Sequence, residues 1–400
     1  MNRQRILFVD DDQAVLDGLE NVFRKDRARW DVAYATGGEQ ALEEMARSPA
    51  DIVVSDMRMP GMDGAALLSV IKTLYPGTAR LVLSGHAERD VVLKAIGFAH
   101  QFLSKPCPPD VLRVAIERTC HLQKLLGHPS IRRFVGETSA LPSAPRSYIA
   151  LTEAASRPSA RLADIAAIVQ ADPAMSAKLL QLVNSAYFGL AQHVASIQHA
   201  VSYLGVEVIK ALALTTAAFG VAEMPSVKGF SLDRLRSDAI HTARLAKRLL
   251  PDSHRADEAF TAAIVHDVGY IILARALPAE LAEVVERSRT TDEPLENIER
   301  AVMGVGHAEL GAYLLGVWGL PFSIVESVAY HHRPSAVTVG TRDVLAAVHA
   351  ADAMLAELGD GQRPATRLDV AFLEEAGYGH EIERWRALAN EEAARAKREE

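Results

Sequence analysis

Residues 5–12 read RILFVDDD, an apolar run that stops abruptly on acids. A run so short and so uniformly apolar predicts a strand buried on both faces. Working outward, Val15, Leu16, Leu19, Val22 and Phe23 recur at helical spacing, and residues 30–35 predict a second strand. Residues 38–47 are helical in pattern. Residues 51–55 (DIVVS) predict a strand ending at Asp56, and a Pro60–Gly61 turn leads into a helix over 65–74. Strands follow over 80–84 (RLVLS) and 100–103 (HQFL), with helices over 90–96 and 109–126. Five strands alternating with five helices predict an α/β doubly wound, five-stranded parallel sheet of flavodoxin-like type.

In such sheets the functional crevice lies at the carboxyl ends of the strands. Asp10, Asp11, Asp56, Ser84 and Lys105 stand there, drawn from four strand ends. Three carboxylates in one crevice repel each other and suit a hard divalent cation, magnesium above all, which keeps positions open for phosphoryl oxygens. Asp56 is then placed to act as a nucleophile forming an acyl phosphate. The Lys105 ammonium can pair with phosphoryl oxygens as a point charge, and the Ser84 hydroxyl can donate to them.

The segments RILFVDDD, VVSDMRMPGMDG, LVLSGHA and FLSKP resemble the signature segments of response-regulator receiver domains. The resemblance implies that Asp56 is the phosphoacceptor of a two-component phosphorelay, served by a sensor histidine kinase. It implies that Asp10 and Asp11 hold Mg2+ with Asp56 and the backbone carbonyl of Arg58. It makes Ser84 and Lys105 a switch pair and puts Phe102 where the family carries a rotating aromatic. A long apolar stripe on the last helix (Val111, Leu112, Ala115, Ile116, Thr119, Leu122, Leu125, Leu126) packs mostly on the sheet. The end of that helix is available as a signalling helix or a homodimer contact.

Residues 127–145 are rich in Gly, Pro and Ser and read as a linker. Beyond them helix follows helix, predicting an all-α second domain. Helices are expected over 159–171, 174–185, 197–204, 205–219, 232–250, 258–275, 307–318, 322–330 and 342–358. The histidines here are ordered: His241 mid-helix, His266 beside Asp267, His307 on an inward face, and His331 with His332 at a helix end. Asp352 lies on an apolar stripe, costly for a carboxylate without a partner. Imidazole and carboxylate ligands together suit iron, manganese or zinc.

That order resembles the HD superfamily of metal-dependent phosphohydrolases. ADPAMSAKLLQLVNSAYFGL, IQHAVSYLG and GHAELGAYLLGVWGLPFSIVESVAYHH are similar to segments of one branch, the HDOD domains. The resemblance implies an HD-like helical fold that serves as a regulatory output rather than as an enzyme, binding a downstream protein such as a second-messenger enzyme. The alternative is a phosphorylation-gated, metal-dependent phosphohydrolase acting on a nucleotide or cyclic dinucleotide. The chain departs from the cyclic-dinucleotide phosphodiesterase branch. Val268–Gly269–Tyr270 follows His266–Asp267 where that branch has a lysine after the glycine, and Arg333–Pro334–Ser335 follows His332 with no GYP segment.

The expected organisation is a receiver over 1–122, a linker over 123–145, an HDOD domain over 146–340, and a helical extension with a charged tail over 341–400. Residues 390–400 (NEEAARAKREE) carry no apolar stripe and read as a solvated, fraying end. The 400 residues are 49% hydrophobic and carry a net charge of −8, which disfavours a nucleic-acid coat. Two cysteines, Cys107 and Cys120, exclude a disulfide framework. The apolar stretch 211–224 is too short and too polar to span a bilayer, so a cytoplasmic protein with no membrane partner is expected.

Overall fold

A computed structural model describes residues 3–84, 99–125, 150–151, 153–154, 161–184, 194–214, 225–250, 253–291, 293–337, 342–359 and 366–399. The helix expected over 90–96 and the linker beyond residue 125 lie outside these. The chain forms two compact units. The first is Met1–Ser139 with Gln181–His193 and Gly316–Gly319; the second is Ala140–Leu180, Val194–Leu315 and Leu320–Glu400.

The first unit is built on β1 (Gln4–Val9), α1 (Gln13–Phe23), β2 (Trp30–Ala35), α2 (Gly38–Arg47), β3 (Ile52–Asp56), α3 (Gly64–Leu74), β4 (Ala79–Ser84), β5 (Gln101–Ser104) and α4 (Pro109–Leu125). The five strands form one sheet in the order β2-β1-β3-β4-β5, every pair parallel. Its central strands are apolar because helices cover both faces: Ile6, Phe8, Ile52, Val54 and Leu81 are fully buried in the core with Leu16, Phe23, Leu112 and Ile116. Asp12 starts α1 by accepting the backbone N–H of Ala14 at 2.8 Å, and Asp63 caps α3 through Ala66 N–H.

The described residues of the second unit, with Gln181–Val183 and Gly316–Val317 continuing two of its helices, form helices and no strand. It comprises α5 (Leu162–Gln170), α6 (Pro173–Val183), α7 (Ile197–Leu214), α8 (Leu232–Leu249), α9 (Ser253–Val265), α10 (Val268–Ala276), α11 (Pro278–Thr290), α12 (Leu295–Met303), α13 (His307–Val317), α14 (Phe322–Tyr330), α15 (Arg342–Leu358), α16 (Val370–Glu375) and α17 (Ile382–Glu399). The expected break at Gly205 is present inside α7, where φ is 73°. The single helix expected over 258–275 is instead two, because the chain turns at His266–Asp267. Helices α11 and α12 were not read from the sequence at all. One described stretch, Arg255–Ala276, is long and apolar enough to cross a membrane by composition, but 78% of its window is buried inside the fold.

The C-terminal end corrects the sequence reading. Residues 390–399 continue α17, which packs on α8 and α15. Trp385, Ala389 and Glu392 form one buried stripe at helical spacing. Its third member is a carboxylate, which hid the pattern. Glu392 is only 1% exposed and is matched by His241 on α8, with Arg244 and Arg248 within 4.0 Å.

Candidate functional site

Two clusters of ionisable groups stand out, one in each unit. In the first, β1 and β3 are direct neighbours in register, Val9 opposite Ser55, so Asp10 and Asp56 emerge side by side at the strand ends. Lys105, just past β5, places Nζ 2.8 Å from Asp10 Oδ2 and 2.8 Å from Asp56 Oδ1. Asp11 is exposed and offers a third carboxylate, with oxygens of all three acids within 4.8 Å of one another. Asp10 Oδ1 also accepts the backbone N–H of Asp12 at 3.0 Å.

Burial pushes the Asp56 carboxyl above the usual carboxylate range, and the neighbouring Lys105 offsets this only in part. Burial works against the charge on Lys105 too, yet Asp10 and Asp56 together hold its pKa above the ordinary value. The approach of α3 to this crevice depends on Gly64. A Cβ there would stand 2.2 Å from the backbone oxygen of Asp56. Arg58 follows two residues after Asp56 and is exposed. Ser84 closes β4 opposite Ser104, and Phe102 lies in β5 opposite Val82; the side chains of Ser84 and Phe102 lie outside the described residues.

The second cluster gathers at the break between α9 and α10. Four imidazoles and two carboxylates converge there. Asp267 Oδ1 lies 3.2 Å from His307 Nε2 and 3.7 Å from His331 Nε2. Asp267 Oδ2 lies 3.2 Å from His266 Nε2, and Asp352 Oδ1 lies 3.6 Å from the same nitrogen. His307 Nε2 is 3.0 Å from His332 Nε2 and 3.4 Å from His331 Nε2. Two overlapping groups thus have metal-ligand spacing: Asp267, His307, His331, His332; and His266, His331, Asp352.

The far side of each ring fixes its orientation. His266 Nδ1 is 2.6 Å from the carbonyl of Ala263, and His331 Nδ1 is 2.8 Å from that of Val328. His307 Nδ1 is 2.7 Å from Glu299 Oε1. Carbonyls and carboxylates accept and do not donate, so each Nδ1 carries a proton. For His332 the same follows through Thr366, whose hydroxyl donates to Asp352 Oδ2 at 2.8 Å and accepts from His332 Nδ1 at 3.2 Å. All four rings therefore turn Nε2 toward the centre. Nitrogens facing each other this closely repel unless a proton or a cation lies between them. His266 Nε2 is buried and makes no hydrogen bond of acceptable geometry.

The electrostatics follow the same division. Burial opposes charge on His266 and His307, yet Asp267 with Asp352 for the first, and Glu299 with Asp267 for the second, push each pKa up to about 10. Burial and the neighbouring imidazoles push His331 well below its ordinary value, and His332 is lowered by burial and His307. Burial alone would raise Asp267, but His266 and His307 hold it well below the usual range. The cluster opens onto a pocket that reaches solvent, lined by Phe230, Ser231, Arg234, Asp238 and Tyr270 among others.

With both sites described, comparison with known proteins decides the family. Residues 6–117 match the response regulator receiver domain, and residues 141–334 match the HDOD domain. The chain is a receiver domain followed by an HDOD domain. A protein of Treponema pallidum is 26% identical over 196 residues, 48% of this chain and 38% of that protein. The DNA-binding transcriptional regulator NtrC of Escherichia coli is 33% identical over 119 residues, 30% of this chain and 25% of NtrC. The chain thus spans well under half the length of these relatives. The crystal structure of the MmoQ response regulator from Methylococcus capsulatus is 26% identical, with a TM-score of 0.47, covering 62% of this chain and 98% of that one.

The sequence-expected residues of the receiver, Asp10, Asp11, Asp56 and Lys105, are brought together at one crevice. In the HDOD unit His266, Asp267, His307, His331, His332 and Asp352 meet. Asp352 and Thr366 lie beyond the family match, so helix α15 and the segment before α16 complete the cluster. His241 does not join it. Its Nδ1 is 2.9 Å from Oε1 of the buried Glu392 on α17, and the acid that α8 presents to the pocket is Asp238. Sequence reasoning missed Glu299, Tyr270 and Thr366. Glu299 was detectable, since it shares the buried stripe of α12 with Leu295, Ile298 and Met303, the signal that singled out Asp352.

Gly269 explains how α10 and α13 come close enough to build the site. A Cβ at Gly269 would stand 2.0 Å from the carbonyl oxygen of His307. His349 is a further buried imidazole with a supporting role. Its Nδ1 donates to the His331 carbonyl at 2.6 Å and its Nε2 accepts from the Asp369 backbone N–H at 2.8 Å.

Proposed function

We propose that this chain is a two-component response regulator in which Asp56 accepts a phosphoryl group from a sensor histidine kinase and the HDOD unit is the output. The observation that carries this reading is the single ammonium of Lys105 shared at 2.8 Å by Asp10 and Asp56, with Asp11 alongside. Three closely spaced carboxylates are hard oxygen donors that fit magnesium, held by the side chains of Asp10, Asp11 and Asp56 with the backbone carbonyl of Arg58. Such an ion supplies charge screening between a phosphoryl donor and the acidic crevice. An Asp56 oxygen forms the new bond to phosphorus while the P–N bond of the donor phosphohistidine breaks. Lys105 then pairs with phosphoryl oxygens in place of the Asp56 carboxylate, and the Ser84 hydroxyl donates to them. The phosphorylated and free forms bias a two-state equilibrium that the HDOD unit reports to a protein partner, such as a second-messenger enzyme.

The test is uptake of labelled phosphate from a small acyl phosphate or from a kinase. Wild type is expected to take up about one equivalent and Asp56→Asn none. Label on the variant would refute the assignment.

A second reading concerns the HDOD unit, and the convergence of Nε2 atoms favours it. The set His266, Asp267, His307, His331, His332 and Asp352 suits a resident iron, manganese or zinc ion. Such an ion supplies Lewis acidity for phosphoester hydrolysis. The residues that would receive a nucleotide or cyclic dinucleotide are Arg234, which can pair with phosphate oxygens, and the rings of Phe230 and Tyr270. The missing lysine after Gly269 argues for a binding role over turnover. Elemental analysis of the wild type against His266→Ala with Asp267→Ala tests it, with metal expected in the first and not in the second.

A further inference from the structure

Glu299 is 0% exposed, lies on the apolar stripe of α12, and is paired with the imidazole of His307. Both its oxygens are turned on one residue. Oε1 is 2.7 Å from His307 Nδ1, and Oε2 accepts the backbone N–H of His307 at 3.0 Å. His307 is the first residue of α13, so the carboxylate grips the start of a helix and the ring of its first side chain together. The opposite face of that ring is closed by Tyr270, stacked at 4.1 Å with planes 12° apart. The ring is thus fixed in plane by Glu299 and out of plane by Tyr270, with Nε2 left to face Asp267, His331 and His332.

We infer that Glu299 is the positioning residue of the HDOD cluster. By holding the proton on His307 Nδ1 it keeps Nε2 directed inward as a metal donor. This rests on the metal reading given above. A carboxylate fits because it accepts twice and donates nothing. A glutamine in the same pose would turn a donating nitrogen toward one of the two N–H groups of His307, where Glu299 offers an accepting oxygen to each. Outer carboxylates of this kind orient the imidazole ligand and raise its basicity, and removing one weakens metal affinity about 10- to 100-fold.

The bland alternative is that Glu299 only caps α13. Glu309 provides the control, since it stands 3.4 Å from the Gly306 backbone N–H at the same helix start, pairs with Arg300 and Arg333, and is not bonded to an imidazole. The experiment is titration of the full chain with Co2+ and Zn2+ against a competing chelator. Wild type, Glu299→Gln, Glu299→Asp and Glu309→Gln are compared, with the Co2+ absorption spectrum and metal-free thermal unfolding recorded for each.

The expected result is about 10- to 100-fold weaker binding and an altered Co2+ spectrum for Glu299→Gln. Partial rescue is expected in Glu299→Asp, and wild-type affinity in Glu309→Gln. Equal affinity and spectrum in wild type and Glu299→Gln would overturn the inference while leaving the metal reading standing. Equal weakening by Glu309→Gln would reduce Glu299 to a helix cap. No metal taken up by wild type would overturn the metal reading itself.

Discussion

Asp10, Asp11 and Asp56 crowd negative charge at an open strand-end crevice, and one lysine at 2.8 Å from two of them keeps that charge tolerable. His266, His307, His331 and His332 crowd nitrogen donors in a helical interior that opens onto a pocket, beside the carboxylates of Asp267, Asp352 and Glu299. The first site is made of hard oxygens with a movable cation on a long side chain, which suits a ligand that comes and goes. The second is built of rings fixed from behind, which suits a ligand that stays. The difference lies in the scaffolds. Strand ends release their side chains into a crevice, whereas helices hold rings by their own carbonyls, as Ala263 holds His266 and Val328 holds His331.

The largest effect expected of any variant separates the two sites. Asp56→Asn is expected to abolish phosphoryl uptake, while His266→Ala with Asp267→Ala leaves uptake within about twofold of wild type. Labelling with a small acyl phosphate measures both, and loss of uptake in the second variant would break the division. Next comes Gly269→Ala, which drives a Cβ into the His307 carbonyl. Destabilisation of about 3 kcal/mol is expected in denaturant unfolding of the HDOD transition. Smaller is Glu392→Ala, which removes the buried carboxylate bonded to His241. It is expected to cost about 1–3 kcal/mol in the same measurement, with bound metal unchanged, because His241 belongs to the α8–α17 contact and not to the cluster.

The receiver's sheet was legible because its signals are local. Each strand is a short apolar run, and Asp10, Asp56 and Lys105 stand at strand ends or one residue past them. The HDOD unit was legible as helices and as an ordered set of histidines, but its assembly was not. His241 carried the right residue type on an apolar face, yet its neighbour in space is 151 residues away. The same pairing concealed the packing of the last turns of α17, since a glutamate occupies the third place of its buried stripe. The turn at His266–Asp267 could not be read from composition either. Residues 258–275 are apolar and helical in pattern throughout, and the close packing just past the break, Gly269 against His307, is a contact with a distant part of the chain.

The central claim is that the two sites differ in kind, one exchanging its cation and the other retaining it. Metal content of the untagged full chain after exhaustive dialysis tests this directly, with wild type set beside His266→Ala with Asp267→Ala. The account expects about one or two equivalents of a transition metal in wild type, none in the double variant, and no magnesium in either. Wild type without metal, or metal that persists in the double variant, would contradict it.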